Sequence, residues 1–204
     1  MPGAYPWLGW CKRHERLRCD RAAQMAGGVD RCRRTGYQRD AGRAIVGECL
    51  ENWSTMLIVD TLDATRRETL ERFLLDDAEM EHRYAPGKWS IRFLLHHLAD
   101  AETVLFDRIR RVLSEPRGVV WAFDQDAWAQ GLEYDRRPLD LSRRIYEAAR
   151  DGVIYYARSA YSSKGHLEFV HSGTGVRTLK DEFDKVAWHN EHHLAQIRAA
   201  LSGP

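Results

Sequence analysis

The chain predicts an all-α fold, a four-helix bundle, and three observations carry that reading. From about residue 57 onward, apolar residues recur at helical spacing in four stretches of roughly 20 residues, each with one apolar stripe. Turn signals separate the stretches: Tyr84-Ala85-Pro86-Gly87-Lys88, then Pro116 with Gly118, then His171-Ser172-Gly173-Thr174-Gly175. No internal repeat and no strand–helix alternation competes with it.

The first helix is expected over 61–80, with Leu62, Leu70, Phe73 and Leu74 on its apolar side. Ser90 reads as the N-cap of the second, where Trp89 and Leu94 stand at the two positions of a hydrophobic staple. That helix can run to about Ser114, where Pro116 and Gly118 stop it. The following loop holds Trp121, Phe123, Asp124, Asp126 and Trp128, too aromatic for a mere linker. A third helix is expected from about Asp140 to Tyr161, with Leu141, Ile145, Ala148, Ala149 and Tyr156 facing inward. Residues 162–177 form a glycine-rich connection with room for a short hairpin. Thr178 then caps a last helix that runs to about Leu201.

With 204 residues, 44% of them hydrophobic, the chain can bury a core in one domain. Its net charge of +1 hides an asymmetry: residues 1–49 carry ten Lys/Arg against five Asp/Glu, and the rest is acidic. Cys11, Cys19, Cys32 and Cys49 all lie in that first stretch, with no CxxC pair and no histidine at zinc-finger spacing. The opening residues lack the charged and apolar regions of a secretory signal. Residues 1–55 are therefore expected to be a disordered Arg/Cys-containing extension, or to precede a natural start at Met56, with the bundle domain over 56–204. A transit peptide or a nucleic-acid arm is the competing reading of the leader. Nucleic acid is disfavoured because the basic residues are not interleaved with stacking aromatics. No run of 18 apolar residues exists, so no membrane span is expected and the cytoplasm is the predicted location.

Five of the nine histidines fall in two short segments, His96-His97 and Trp188-His189-Asn190-Glu191-His192-His193. Helical geometry sorts them at about 100° per residue. With Ile197 as zero, Phe183, Val186, Asn190 and Leu201 lie within roughly 40° and mark the core face. On that scale His193 lies about 40° and His189 about 80° to one side, while His192 lies about 140° away, toward solvent. With Leu98 as zero, His97 stands at about 100°, again on a flank, and His96 nearly opposite the core. Three imidazoles, His97, His189 and His193, can therefore meet one ion. Three neutral imidazoles leave coordination positions open, as catalytic sites do, and suit zinc, nickel, iron or copper better than calcium or magnesium. Asn190 stands where a zincin would carry its glutamate, and Glu191 points away from the core. Gln196 lies near the azimuth of His189 and is a candidate hydrogen-bond partner for a ligand.

The segments Gly87-Lys88-Trp89-Ser90-Ile91-Arg92 through His97-Leu98-Ala99-Asp100-Ala101-Glu102, and Trp188-His189-Asn190-Glu191-His192-His193-Leu194-Ala195-Gln196-Ile197, resemble two helix motifs of the DinB-like (DinB/YfiT-like) superfamily of metalloenzymes. The resemblance covers about residues 57–201 and leaves out 1–50. It implies a four-helix bundle holding a divalent metal, zinc or nickel, through His97, His189 and His193, often in a homodimer. It also implies small-molecule substrates: relatives include bacillithiol S-transferases and a mycothiol-dependent maleylpyruvate isomerase, and others were proposed as metal-dependent hydrolases. The Phe123-Asp124-Gln125-Asp126-Ala127-Trp128 loop is similar to family sequences as well.

The expected chemistry is thiol transfer, in which a metal keeps a low-molecular-weight thiol deprotonated so that its sulfur attacks an electrophile between the helices. Residues 50–204 contain no cysteine, and this chemistry needs none. Hydrolysis is the alternative and would be helped by a carboxylate base, for which Asp124 and Asp126 are candidates. A third reading is a non-catalytic metal-binding stress-response bundle.

Overall fold

The structure, a computed structural model, describes residues 39–203, with side chains from residue 52. The expected disordered extension lies outside the described residues as far as residue 38, and residue 39 already opens a helix. Helix α1 spans Arg39–Arg72, α2 is a single turn at Asp77–Met80, and α3 spans Ile91–Ser114. Strand β1 is Val119–Val120, α4 is Gln125–Gly131, and α5 is Leu139–Ala160. Strands β2 (Glu168–His171) and β3 (Gly175–Thr178) lead into α6 at Leu179–Ser202. Residues 54–203 form one compact unit, whose bundle consists of α3, α5, α6 and the part of α1 from residue 54 onward.

Local chemistry explains the boundaries. The chain breaks after Arg72 instead of running on to residue 80, because Asp76 and Glu79 form a capping box that starts a new turn. Leu74, expected inside, therefore falls in the break and is 78% exposed. Ser90 caps α3 by accepting from Phe93 N–H, and Thr178 with Asp181 caps α6 reciprocally. The hairpin expected in 162–177 is the β2–β3 pair, and β1 adds to it in parallel, giving the order β1-β2-β3. The small sheet closes one end of the bundle, where Val120 and Phe169 join its core.

Two apolar clusters fill the interior. One gathers Leu62, Leu105, Ile109, Val153, Phe183 and Val186, the other Phe73, Ile91, Leu94, Leu98, Tyr146 and Ile197. Between them lies a polar layer to which every long helix contributes. Arg150 is fully buried and grips Glu102 with Nε at 2.7 Å and Nη2 at 2.8 Å, while Nη1 donates to Thr65 Oγ1 and Leu62 O. Asn190 accepts from Tyr146 Oη and donates to Thr69 Oγ1.

That layer corrects part of the inward set expected for α5. Ala149 is buried, and Ile145 and Tyr156 are half-buried against the two clusters, but Leu141 and Ala148 are exposed. The buried face instead carries Ser142, Tyr146, Arg150, Val153 and Ala157. A search for apolar periodicity skips an arginine, and with it the true phase of the helix. Gly152 sits where α5 crosses α3: a Cβ there would stand 2.4 Å from the Phe106 ring.

Candidate metal centre

Two helices position the imidazoles. Asn190 holds α6 in register through its buried hydrogen bonds, which turns His189 and His193, one helical turn apart, to the side of the polar layer. His97 approaches from α3. Its Nε2 lies 3.0 Å from His189 Nε2, and His193 Nε2 lies 3.2 Å from the same atom. One ligand atom from each of the three falls within 4.8 Å of the others, a grouping of donor atoms that contains no carboxylate and no cysteine among the described residues.

The surroundings dictate protonation. Burial pushes His97 down to about 4 and His193 down to about 3, the latter with help from the nearby His97. His189 is lowered by burial and by its two histidine neighbours. All three are therefore neutral at pH 7. His193 Nδ1–H donates to Gln196 Oε1 at 2.7 Å, which leaves the lone pair on Nε2 facing the cluster. Gln196 in turn donates from its amide toward His192 Nε2, which fixes the amide's orientation. His97 Nδ1 is buried without a partner. Three desolvated, neutral nitrogens crowded at hydrogen-bond distance cannot satisfy one another with the protons available. A cation accepting their lone pairs would relieve this, so the donor set fits a borderline transition metal.

Aromatic rings wall the cluster. Trp89 meets His97 edge-on at 5.3 Å, and Phe123 stacks on it at 6.2 Å. Trp128 packs on Phe123 at 5.0 Å, so the aromatic loop reaches the histidines. Beyond Phe123 a cavity of about 830 Å³ runs along α3. The sequence marked this loop as unusual but offered no signal for its position.

The other candidates separate. His192 is exposed and stacks on Trp188. Glu191 is tied to Arg198. His96, expected on the solvent side of α3, is instead fully buried, its Nδ1 2.8 Å from Ser142 Oγ and its ring 5.3 Å from that of Tyr134. The azimuth reading assumes one covered face. Helix α3 is covered on a second side, because Asp100 anchors the 132–138 segment through Tyr134 Oη and Arg137. Asp124 is no free base: its carboxylate caps α4, accepting from Asp126 N–H and Ala127 N–H. Asp126 is exposed.

These buried imidazoles make stability pH-dependent in the metal-free protein. His96 and His171 are also held at about 4 by burial, reinforced by neighbouring arginines. Unfolded, each histidine titrates near 6.5, so the unfolded chain takes up protons that the native state refuses. Stability is therefore complete above about pH 6.5 and falls as pH drops toward the folded values. Urea midpoints should decline between about pH 6.5 and 5, above the usual carboxylate range. A midpoint constant across that window would contradict the assignment of buried neutral histidines.

A helical bundle with three converging imidazoles and an aromatic cavity beside them defines a class of helical three-histidine proteins. The sequence pattern of the DinB superfamily matches residues 61–197, and the chain belongs to that superfamily. A relative from Oceanobacillus iheyensis, named "Putative metal-dependent hydrolase", is 33% identical over 129 residues, covering 63% of this chain and 73% of its own. One of the same name from Halalkalibacterium halodurans is 25% identical over 127 residues, covering 62% and 74%. In fold the chain is similar to YfiT from Bacillus subtilis, described as "a probable metal-dependent hydrolase with an unusual four-helix bundle topology". The TM-score is 0.64 at 20% identity, over 71% of this chain and 83% of that one. No described helix is long and apolar enough to cross a membrane.

Proposed function

We propose that His97, His189 and His193 hold one divalent transition-metal ion, zinc or nickel, and that the chain is a metal-dependent enzyme transferring a low-molecular-weight thiol to a small electrophile. The convergence of three neutral, desolvated Nε2 atoms without a carboxylate carries the reading. A bound ion supplies a Lewis acid that lowers the pKa of a thiol or of water at a position the imidazoles leave open.

The chain's own groups do the rest. Gln196 fixes the His193 tautomer and aims its lone pair. Trp89 and Phe123 exclude water from one side of His97 and leave an apolar wall for an electrophile. Thiol is preferred over water because hydrolysis gains from a carboxylate base, and Asp124 is committed to its helix cap. The sulfur in this reading is that of a co-substrate, and residues 50–204, which carry the three histidines, contain no cysteine to compete with it. Hydrolysis is the second reading, favoured by the names of the relatives.

The test is a paired assay on protein of measured metal content. With monochlorobimane and a panel of small thiols, the carbon–sulfur bond forms, the carbon–chlorine bond breaks, and chloride and the thiol proton leave. Conjugation that requires the metal, and that exceeds p-nitrophenyl acetate hydrolysis, is the expected result. Metal-dependent ester cleavage indifferent to thiol would transfer the assignment to hydrolysis.

A further inference from the structure

The cavity beyond Phe123 has a wall whose polar groups are already engaged and whose rings are not. Its volume of about 830 Å³ suits a small molecule, and it lies between α3 and the 119–128 segment. Phe123 is the side chain it shares with the metal centre, stacking on His97 at 6.2 Å, while none of the three histidines lines the cavity. Four charged side chains reach the wall, Arg108 and Arg111 against Asp107 and Asp124, and each has a partner within the protein. Arg111 Nε donates to Asp107 at 2.6 Å, Arg108 donates to Glu182 and to Trp121 O, and Asp124 caps α4. Arg108 Nε–H lacks an acceptor but is buried, shut off from the open space. Thr103 donates its hydroxyl to Asp100 O at 2.7 Å. A charged ligand would leave water here without meeting a free counter-charge.

The rings, by contrast, are held in place and open. Trp121 is 75% exposed, yet its backbone is pinned on both sides. Its carbonyl accepts from Arg108, Ala122 N–H donates to Ser172 Oγ at 2.8 Å, and Ser172 N–H donates to Val120 O at 2.9 Å. A large apolar side chain is thus fixed at the rim of a cavity with its surface in water. Trp128, half-buried on α4, leans on Phe123 with ring centroids 5.0 Å apart. Backbone hydrogen bonds, a helix cap and a ring contact therefore pre-organise three aromatic side chains around one space, which lowers the ordering cost of stacking a fourth ring there.

We infer that the cavity is the binding site of an uncharged, planar aromatic small molecule, whose ring lies against Trp121, Phe123 and Trp128. Identifying this molecule with the electrophile that reacts at the histidines rests on the function proposed above; occupancy of the cavity does not.

The probes are β-naphthol, its saturated counterpart β-decalol, the anion β-naphthoate and the cation β-naphthylmethylammonium. Each is titrated by ligand-observed NMR against the full chain at neutral pH, with and without zinc. β-Naphthol should bind roughly fivefold or more tightly than β-decalol, the scale that ring–ring contact adds to area burial. It should also bind more tightly than either ion. Trp121→Leu keeps an apolar side chain at an exposed position and should bring the two alcohols toward parity with zinc stoichiometry unchanged. Tyr155→Leu removes a similarly exposed ring outside the cavity and should leave the preference intact. Parity in the parent chain, tighter binding of either ion, or a preference that survives Trp121→Leu would overturn the site. So would an equal loss in Tyr155→Leu, which would mean adsorption on surface rings. A preference seen only with zinc would overturn it as well, since the naphthol oxygen would then sit on the ion. A chain that takes no zinc yet keeps the preference supports the cavity site and sinks the metal-centre reading. One that takes zinc and shows no preference sinks the cavity site alone.

Discussion

Replacing His97 and His193 together by alanine is expected to take bound metal from about one ion per chain to none, with the helical fold retained. The structure separates the five clustered histidines into three environments, so the single substitutions should sort accordingly. His97, His189 and His193 each present Nε2 to the shared cluster, and loss of any one removes a third of the donor set. Gln196→Ala should act more mildly, about 10- to 100-fold in metal affinity, because it releases the His193 tautomer without removing a donor. His192→Ala should leave affinity close to that of the parent, since the ring is exposed on Trp188 and meets the site only at its edge, through Gln196 and edge-on against the His193 ring, without adding a donor atom to the cluster. His96→Ala should also spare the metal but cost stability, about 1–3 kcal/mol, because Ser142 is left buried without its partner. Elemental analysis with a competitive zinc titration reads the first property, and urea denaturation the second. Equal metal loss from all five substitutions would remove the distinction on which the site rests.

The geometry of α6 was legible in the sequence because helical phase needs only residue spacing. Asn190, Val186 and Ile197 face the core and His192 faces solvent, where the azimuths put them. The bounds of α3 and α6 were legible for a similar reason: Ser90 and Thr178 act on backbone donors three residues away. Phase was only partly right on α5, where a pattern built on apolar residues cannot anticipate that Arg150 points inward to a glutamate on another helix. It failed for His96 because one sequence stripe cannot report how many neighbours will cover a helix. The cavity beyond Phe123 was illegible for the most basic reason. Its lining residues come from α3, β1 and the segment around α4, with no shared spacing to betray them.

Arg150→Met is expected to be among the most destabilising single substitutions in the bundle, at about 3–5 kcal/mol. The cost arises from what remains more than from what is lost. Glu102 is 2% exposed and takes both its charged hydrogen bonds from Arg150, so truncation strands a carboxylate between two apolar clusters. Thr65 Oγ1 and Leu62 O lose a donor at the same time. For a domain of this size, such a loss corresponds to a fall in Tm of roughly 6–20 °C. Combining Arg150→Met with Glu102→Leu should recover much of it, since replacing a buried pair by apolar residues is often nearly neutral. The polar layer then has a second role open to measurement. It meets α6 at Asn190, beside His189, so a bundle that refolds with an apolar layer should hold metal only if Asn190 keeps Tyr146 and Thr69. A single Arg150→Met variant as stable as the parent would mean that Glu102 takes up a proton or reaches water at little cost. The layer would then owe its place to the orientation of α6 and not to the strength of the ion pair.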